Sequence, residues 1–129
     1  MSSSKYKELK VWEKSMDLIS DVYTLVKSLP KEEMYGLSDQ MRRAAVSIPS
    51  NIAEGHGRHT DKEFIKFLSI SRGSLFELET QLEICRRLNY MDMVCLTPVM
   101  NKITEISKML NSLISYRKNN EEKDLSPKA

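Results

Sequence analysis

Residues 64–85, FIKFLSISRGSLFELETQLEIC, place an apolar or small side chain on one face at every third or fourth position. This is the heptad spacing of a helix that packs lengthwise against other helices. The face consists of Phe64, Leu68, Ser71, Leu75, Leu78, Leu82 and Cys85. Thr60 precedes it as an N-cap residue, with Glu63 three residues later as in a capping box. The stretch therefore predicts one long helix that ends near Leu88.

Three other segments repeat this spacing. The first contains Leu9, Trp12, Met16, Ile19, Tyr23 and Val26 and ends at Leu29-Pro30, since a residue before proline avoids helical geometry. The second contains Leu37, Met41, Ala44, Ile48 and Ile52 and stops at Gly55-His56-Gly57. The last contains Val99, Ile103, Ile106, Leu110 and Leu113, with Thr97 as N-cap and Pro98 at the first helical position. Together they predict an all-α fold, an antiparallel up-down-up-down four-helix bundle.

The 129 residues fit one domain, which we assign to residues 1–116. Residues 117–129, RKNNEEKDLSPKA, lose the apolar pattern and are predicted to form a polar flexible tail. The chain has no signal-like apolar region at its N-terminus and no apolar run of about 18 residues, so we expect a cytoplasmic protein without membrane contact. Cys85 and Cys95 are interpreted as reduced packing residues.

Pro49 lies inside the second helix and predicts a kink there, because proline lacks a backbone donor and collides with the preceding turn. On the next helix, Ser71, Gly73 and Ser74 are small enough to allow a close approach. Polar side chains accompany this crossing, namely Ser47, Asn51 and Glu54 on the second helix and Ser74 and Glu77 on the third. Three interpretations of this crossing remain open. The side chains form a buried polar network, or Asn51, Glu54 and Glu77 form a ligand or catalytic pocket, or the residues contact another subunit.

Motifs for catalysis are missing from the sequence. Di-iron bundles use Glu-x-x-His pairs, and this chain has none; its two histidines, His56 and His59, follow the second helix without ligands at metal-binding spacing. A phosphate-binding loop of the Walker type and a G-x-S-x-G elbow are also missing. Glu77, Glu79 and Glu83 are more simply explained as ion-pair partners of Arg86, Arg87 or basic residues of another subunit. We therefore expect no enzyme, no metal and no cofactor.

A basic region offers a binding function instead. Between Gln40 and Gly73, six cations face the three carboxylates of Glu54, Asp61 and Glu63, a local net charge of +3 at one end of helices two and three. The cations are Arg42, Arg43, Arg58, Lys62, Lys66 and Arg72. Such groups bind phosphates of RNA or DNA through counterion release. The alternative is structural: Arg42 and Arg43 form ion pairs within or between subunits, with Glu54 or the Glu77–Glu83 cluster.

Helix three also carries more apolar surface than one packing face requires, in Ile65, Phe67, Ile70, Phe76 and Ile84. Excess apolar faces usually mark contacts with another protein chain. The sequence therefore predicts a homo-oligomer. Two functions remain open, an accessory factor that binds nucleic acid and a purely structural scaffold for protein–protein interaction.

Three tracts in order, LKVWEKSMDLI, YGLSDQMRRAAVSIPSNIAEGHGR and EFIKFLSISRGSLFELETQL, resemble the 23S ribosomal RNA intervening-sequence protein family, also called four helix bundle protein. The resemblance covers roughly residues 6–115 and implies a compact bundle that assembles as a ring-like homo-pentamer. The chain is also similar to the accessory variability protein of diversity-generating retroelements, a bundle whose basic surface binds nucleic acid and a reverse transcriptase. The family name itself implies no biochemical activity.

Overall fold

The computed structural model describes the backbone of residues 2–125 and the side chains of residues 5–122. Its four helices are α1 (Lys10–Val26), α2 (Leu37–His56), α3 (Asp61–Arg87) and α4 (Met93–Leu125). Short 3₁₀ segments precede α1 and α2, at Ser2–Glu8 and Lys31–Glu33, and residues 2–125 contain no strand. Each helix packs against the next, and α4 returns to α1. The predicted antiparallel four-helix bundle is confirmed.

The core positions of α2 and α3 are those that the heptad spacing predicted. All five apolar positions of the second segment and all seven of the third are buried. The α2–α3 pair forms the most extensive contact in the bundle. Thr60 caps α3 as predicted, because its hydroxyl oxygen accepts a hydrogen bond from the Glu63 backbone N–H at 3.2 Å.

Helix α1 is rotated relative to the predicted face. Its buried stripe is Val11, Ser15, Leu18, Val22 and Val26, whereas Met16 and Tyr23 are 39% and 42% exposed. Ser15 explains the difference. Its hydroxyl donates to the Val11 carbonyl at 2.7 Å, so a polar residue takes a fully buried position without an unpaired group.

Helix α4 is longer at both ends than the sequence predicted. It begins at Met93, where the Asp92 carboxylate accepts the Cys95 backbone N–H at 3.1 Å, so Thr97 is not the cap and Pro98 lies inside the helix. Cys85 is buried as predicted, but Cys95 is exposed on this helix. Residues 117–125 of the predicted polar tail are helical. Residues 126–129 lie outside the described part, and the flexibility of the tail stays a prediction.

The close approach of α2 and α3 depends on a different glycine from the one predicted. A Cβ at Gly55 would lie 2.5 Å from Cβ of Phe67, whereas a Cβ at Gly73 would meet nothing within 4 Å. Gly55 is therefore the position at which only hydrogen fits between the two backbones. Helix α2 continues through Pro49, and the predicted kink at that residue stays a prediction.

Candidate functional site

The α2–α3 crossing contains a small hydrogen-bonded polar cluster. Ser47 Oγ accepts hydrogen bonds from Asn51 Nδ2 at 2.9 Å and from Ser74 Oγ at 2.8 Å, and Asn51 Nδ2 also lies 2.8 Å from the Ser47 carbonyl. One layer deeper, Ser71 Oγ donates to the Ile48 carbonyl at 2.8 Å, beside Pro49. Ser71 and Ser74 thus join α3 to α2 by hydrogen bonds, and Asn51 bonds to Ser47 within α2.

The two carboxylates predicted at this crossing lie outside its hydrogen bonds. Glu54 is exposed and forms an ion pair with Arg58, with Oε2 at 3.6 Å from Nε. Glu77 is exposed as well, and its carboxylate has no hydrogen-bond or ion-pair partner among residues 5–122. The structure thus joins Ser47, Asn51 and Ser74 but does not bring Asn51, Glu54 and Glu77 into one pocket.

The six candidate nucleic-acid-binding cations do not form one patch. Arg42 is half-buried beside the α1–α2 connection, where it lines a cavity with Pro30 and Met34. Arg43 binds Asp39 at 2.9 Å. Arg42 and Arg58 are sixteen residues apart on or just after α2, which separates them by about 24 Å along the axis. The predicted concentration of all six charges at one end of α2 and α3 is therefore wrong.

A smaller group remains at the end where α2 meets α3. Arg58, Lys62 and Lys66, which we call the basic corner, are all exposed. Arg58 is partly engaged, since its guanidinium lies 5.2 Å from the ring centre of Phe67. The ammonium groups of Lys62 and Lys66 have no ion-pair partner within residues 5–122. They are one helical turn apart and are available for phosphates.

The other basic residues of α3 are paired. Arg72 donates to Asn111 Oδ1 on α4 at 2.9 Å. At the C-terminal end, Arg86 and Arg87 both bind Glu83, at 2.7 and 2.9 Å. These side-chain hydrogen bonds lower the pKa of the Glu83 carboxyl to about 2. The predicted pairing of a helix-three glutamate with Arg86 and Arg87 is thus present.

An open apolar groove lies between α1 and α2, and the sequence did not predict it. We call it the α1–α2 groove. It has a volume of about 300 Å³ and is lined by Tyr6, Trp12, Met16, Ile19, Val46, Pro49, Ser50 and Ala53. Tyr6 and Trp12 pack edge-to-face at one end, with ring centres 5.4 Å apart. The rotation of α1 leaves Met16 exposed at this groove, while Trp12 and Ile19 are half-buried against the core.

A second apolar surface lies on α3, as its excess of apolar residues predicted. Ile70, Phe76 and Ile84 are 44%, 50% and 39% exposed. No Cα atom of α1 lies within 8 Å of a Cα atom of α3 in the described bundle. None of the three exposed α3 residues lines the α1–α2 groove.

Features that would hold a metal ion or span a membrane are missing from the described part of the chain. Within the described side chains, no group of three or more His, Cys, Asp and Glu residues lies close enough to hold a metal ion. Among residues 2–125, no helix combines the length and apolar character that crossing a lipid bilayer requires.

Comparisons with known proteins agree with the fold and leave the activity open. The model of the 23S rRNA-intervening sequence protein family matches residues 7–112. A crystal structure from Bacteroides thetaiotaomicron VPI-5482, of a protein with unknown function from the S23 ribosomal protein family, is 30% identical to the chain. It superposes with a TM-score of 0.75 and covers 81% of this chain and 97% of its own. No curated protein matches the sequence.

Proposed function

The chain belongs to the 23S rRNA-intervening sequence protein family, and we propose that it acts as a non-enzymatic scaffold that assembles with copies of itself. The α1–α2 groove is the observation that carries this proposal. Met16 and Val46 are 39% and 40% exposed in the groove, whereas Val11, Leu18 and Val22 fill the core positions of α1. Surplus apolar surface of this kind is stabilised by burial against another chain.

The two apolar surfaces favour a head-to-tail arrangement. If the groove of one copy receives the exposed α3 residues of the next, the first copy keeps its α3 residues free and the second keeps its groove free. Such heterologous contacts close into a ring when the rotation between copies allows it. We infer five subunits, and this number rests on the family resemblance alone.

Substitution in the groove tests the proposal. Met16→Lys adds a charge to the groove at a side chain that is 39% exposed, so the monomer fold should tolerate it. Ser20→Lys adds the same charge at an exposed polar position of α1 and serves as the matched control. Light scattering should give a mass of about 75 kDa for five copies of the 14.9 kDa chain, and Met16→Lys should lower it.

The control defines the contradicting results. Ser20→Lys should keep the mass of the unmodified chain. A monomeric unmodified chain would refute self-assembly, and a multimer that survives Met16→Lys at all protein concentrations would refute the role of the groove.

The basic corner supports nucleic-acid binding as a second candidate function. Lys62 and Lys66 are exposed and unpaired among the described residues, and a ring would present several copies of them. Binding of single-stranded RNA should weaken with added salt. The double substitution Lys62→Gln and Lys66→Gln should reduce the logarithmic salt slope by about 1.4, because each lysine that neutralises a phosphate contributes about 0.7 to the slope. Fluorescence anisotropy measures both quantities.

Arg86→Gln is a suitable control for the RNA experiment, because it removes one positive charge from α3 at the opposite end of that helix from the basic corner. It should leave the salt slope nearly unchanged. An absence of RNA binding at low salt, or equal slopes for all variants, would remove this second function and leave the scaffold proposal standing.

A further inference from the structure

A polar cavity lies where the turn between α2 and α3 meets α4. It has a volume of about 290 Å³ and is lined by Gly55, His56, His59, Thr60, Asp61, Phe64 and Arg117. Cavities of this size accommodate small ligands rather than macromolecules. Both histidines of the chain line it.

Arg117 crosses from α4 into this cavity with its donors only partly used. Its Nη1 donates to Asp61 Oδ1 at 2.9 Å, and its guanidinium lies 4.9 Å from the ring centre of Phe64. Its Nε is buried and has no hydrogen-bond acceptor within the described residues. Nε is covered by protein, but the side chain as a whole is 31% exposed and only its Nη1 has an acceptor within the described residues, so a ligand oxygen in the cavity can accept from the remaining Nη donors.

Positive charges lie near His56 in the cavity. Burial, together with the nearby positive charges of Arg117, His59 and Lys5, lowers the pKa of His56. The carboxylate of Asp61 opposes this field, but it is engaged by Arg117. His59 adopts a left-handed backbone conformation with φ of 67° and lines the cavity from the turn.

We propose that this cavity binds a phosphate group, with Arg117 as its main cationic contact and with His56 and His59 as hydrogen-bonding partners. A phosphate presents several strong acceptor oxygens, and arginine and imidazole nitrogens together supply matching donors. The group belongs either to free phosphate or to a nucleic-acid backbone. The cavity lies within a single chain, so this site does not depend on self-assembly.

NMR of the two imidazole rings tests the proposal directly. Inorganic phosphate is added in steps, and the sodium chloride concentration is lowered at each step so that the ionic strength stays constant. Phosphate at the site should raise the pKa of His56 in a saturable way, because a nearby anion stabilises the imidazolium. Replacing sodium chloride with potassium chloride, without phosphate, should leave the pKa of His56 unchanged.

Two substitutions at Arg117 and Asp61 distinguish a binding site from a structural ion pair. Arg117→Lys retains the charge but replaces the planar guanidinium donors with one ammonium, and phosphate affinity should fall about tenfold through the loss of a charge-assisted hydrogen bond. Asp61→Asn removes the competing carboxylate, so phosphate affinity should rise several-fold. Lys118→Gln, at the exposed neighbouring position, should leave affinity nearly unchanged. Circular dichroism establishes that each variant is folded.

The source of the phosphate is decided by a second titration with a single-stranded RNA of about ten nucleotides. A His56 response to RNA that inorganic phosphate displaces assigns the site to a nucleic-acid backbone. A response to inorganic phosphate alone assigns it to the free anion. If neither probe gives a saturable response, or if Asp61→Asn and Arg117→Lys weaken phosphate binding equally, the proposal is overturned. Persistence of the response in a monomeric Met16→Lys variant would separate this site from the scaffold function.

Discussion

Gly55→Ala should destabilise the protein, although alanine is the better helix former. The added Cβ would lie 2.5 Å from Phe67 Cβ and 3.1 Å from Phe64 Cδ1, while ordinary contacts begin at 3.4 Å. Helices α2 and α3 must therefore separate by about 0.9 Å at this layer, a displacement of the kind that overpacked cores show. The same movement would stretch the 2.8 Å hydrogen bond from Ser71 Oγ to the Ile48 carbonyl.

The magnitude follows from two opposing contributions. Overpacking costs about 1–3 kcal/mol, and replacing glycine by alanine inside a helix gains at most about 1 kcal/mol. The gain is smaller here because Gly55 lies in the last turn of α2. We therefore expect the free energy of unfolding to fall by about 1–2 kcal/mol.

Gly73→Ala is the matched control. It makes the same chemical change in the middle of α3, where the new Cβ would meet nothing within 4 Å. It should stabilise the protein by about 0.5–1 kcal/mol through helix propensity alone. Urea denaturation followed by circular dichroism measures both variants, at one fixed protomer concentration since assembly contributes to apparent stability. Equal effects of the two substitutions, or a stabilising Gly55→Ala, would refute the close α2–α3 approach.

Three further outcomes are expected. Ser71→Ala should lower the free energy of unfolding by about 1 kcal/mol in urea denaturation, because it removes a buried hydrogen bond; an unchanged value would mean that the bond contributes nothing. A thiol reagent at pH 8 should label Cys95 and spare Cys85. Cys85 is buried, and this burial raises the pKa of its thiol to about 11. Labelling of both cysteines at equal rates would contradict the burial of Cys85. The Glu83 carboxyl should titrate in NMR near pH 2. Its stabilising effect is therefore present above about pH 4.5 and is lost as pH falls through 2. Arg86→Gln should raise this pKa, and a midpoint near 4.5 in the unmodified chain would exclude the ion pairs.

The fold was predictable because α2 and α3 each have an apolar face with heptad spacing. Their large apolar side chains repeat with heptad spacing, and burial selects those positions without competition. Helix α1 offers two apolar faces instead. One contains Trp12 and Met16, and the other contains Leu18 and Val22 with Ser15 among them. Hydrophobicity alone favours the first, whereas packing selects the second because a serine that bonds to its own helix can be buried.

The ends of α4 show a different limit. Thr97 and Pro98 form a plausible helix start, but Asp92 caps the helix five residues earlier, and Pro98 is tolerated inside it. At the other end, the apolar spacing that predicts a helix stops before Arg117. The helix nevertheless continues, and Arg117 packs over Phe64 and binds Asp61 on another helix. Contacts between residues that are 56 positions apart are set by the fold and leave no local pattern.

The candidate site was predictable only in part. The spacing of Ser47 and Asn51 on α2 placed them on one face, and Ser74 joins them as predicted. The signal for Gly55 was present as well, since it lies three residues after Ile52 on the core face, although its position near the helix end suggested a stop. The α1–α2 groove could not be predicted, because it exists only once the rotation of α1 is known.

Hydroxyl-radical footprinting across a range of protein concentrations tests the scaffold proposal most directly. Met16 lies in the α1–α2 groove and Met93 lies outside it, and both are exposed in the single chain, at 39% and 53%. Oxidation of Met16 should decrease as the chain assembles, while oxidation of Met93 should change little. Constant oxidation of Met16 at concentrations where the mass is already multimeric would contradict the scaffold proposal.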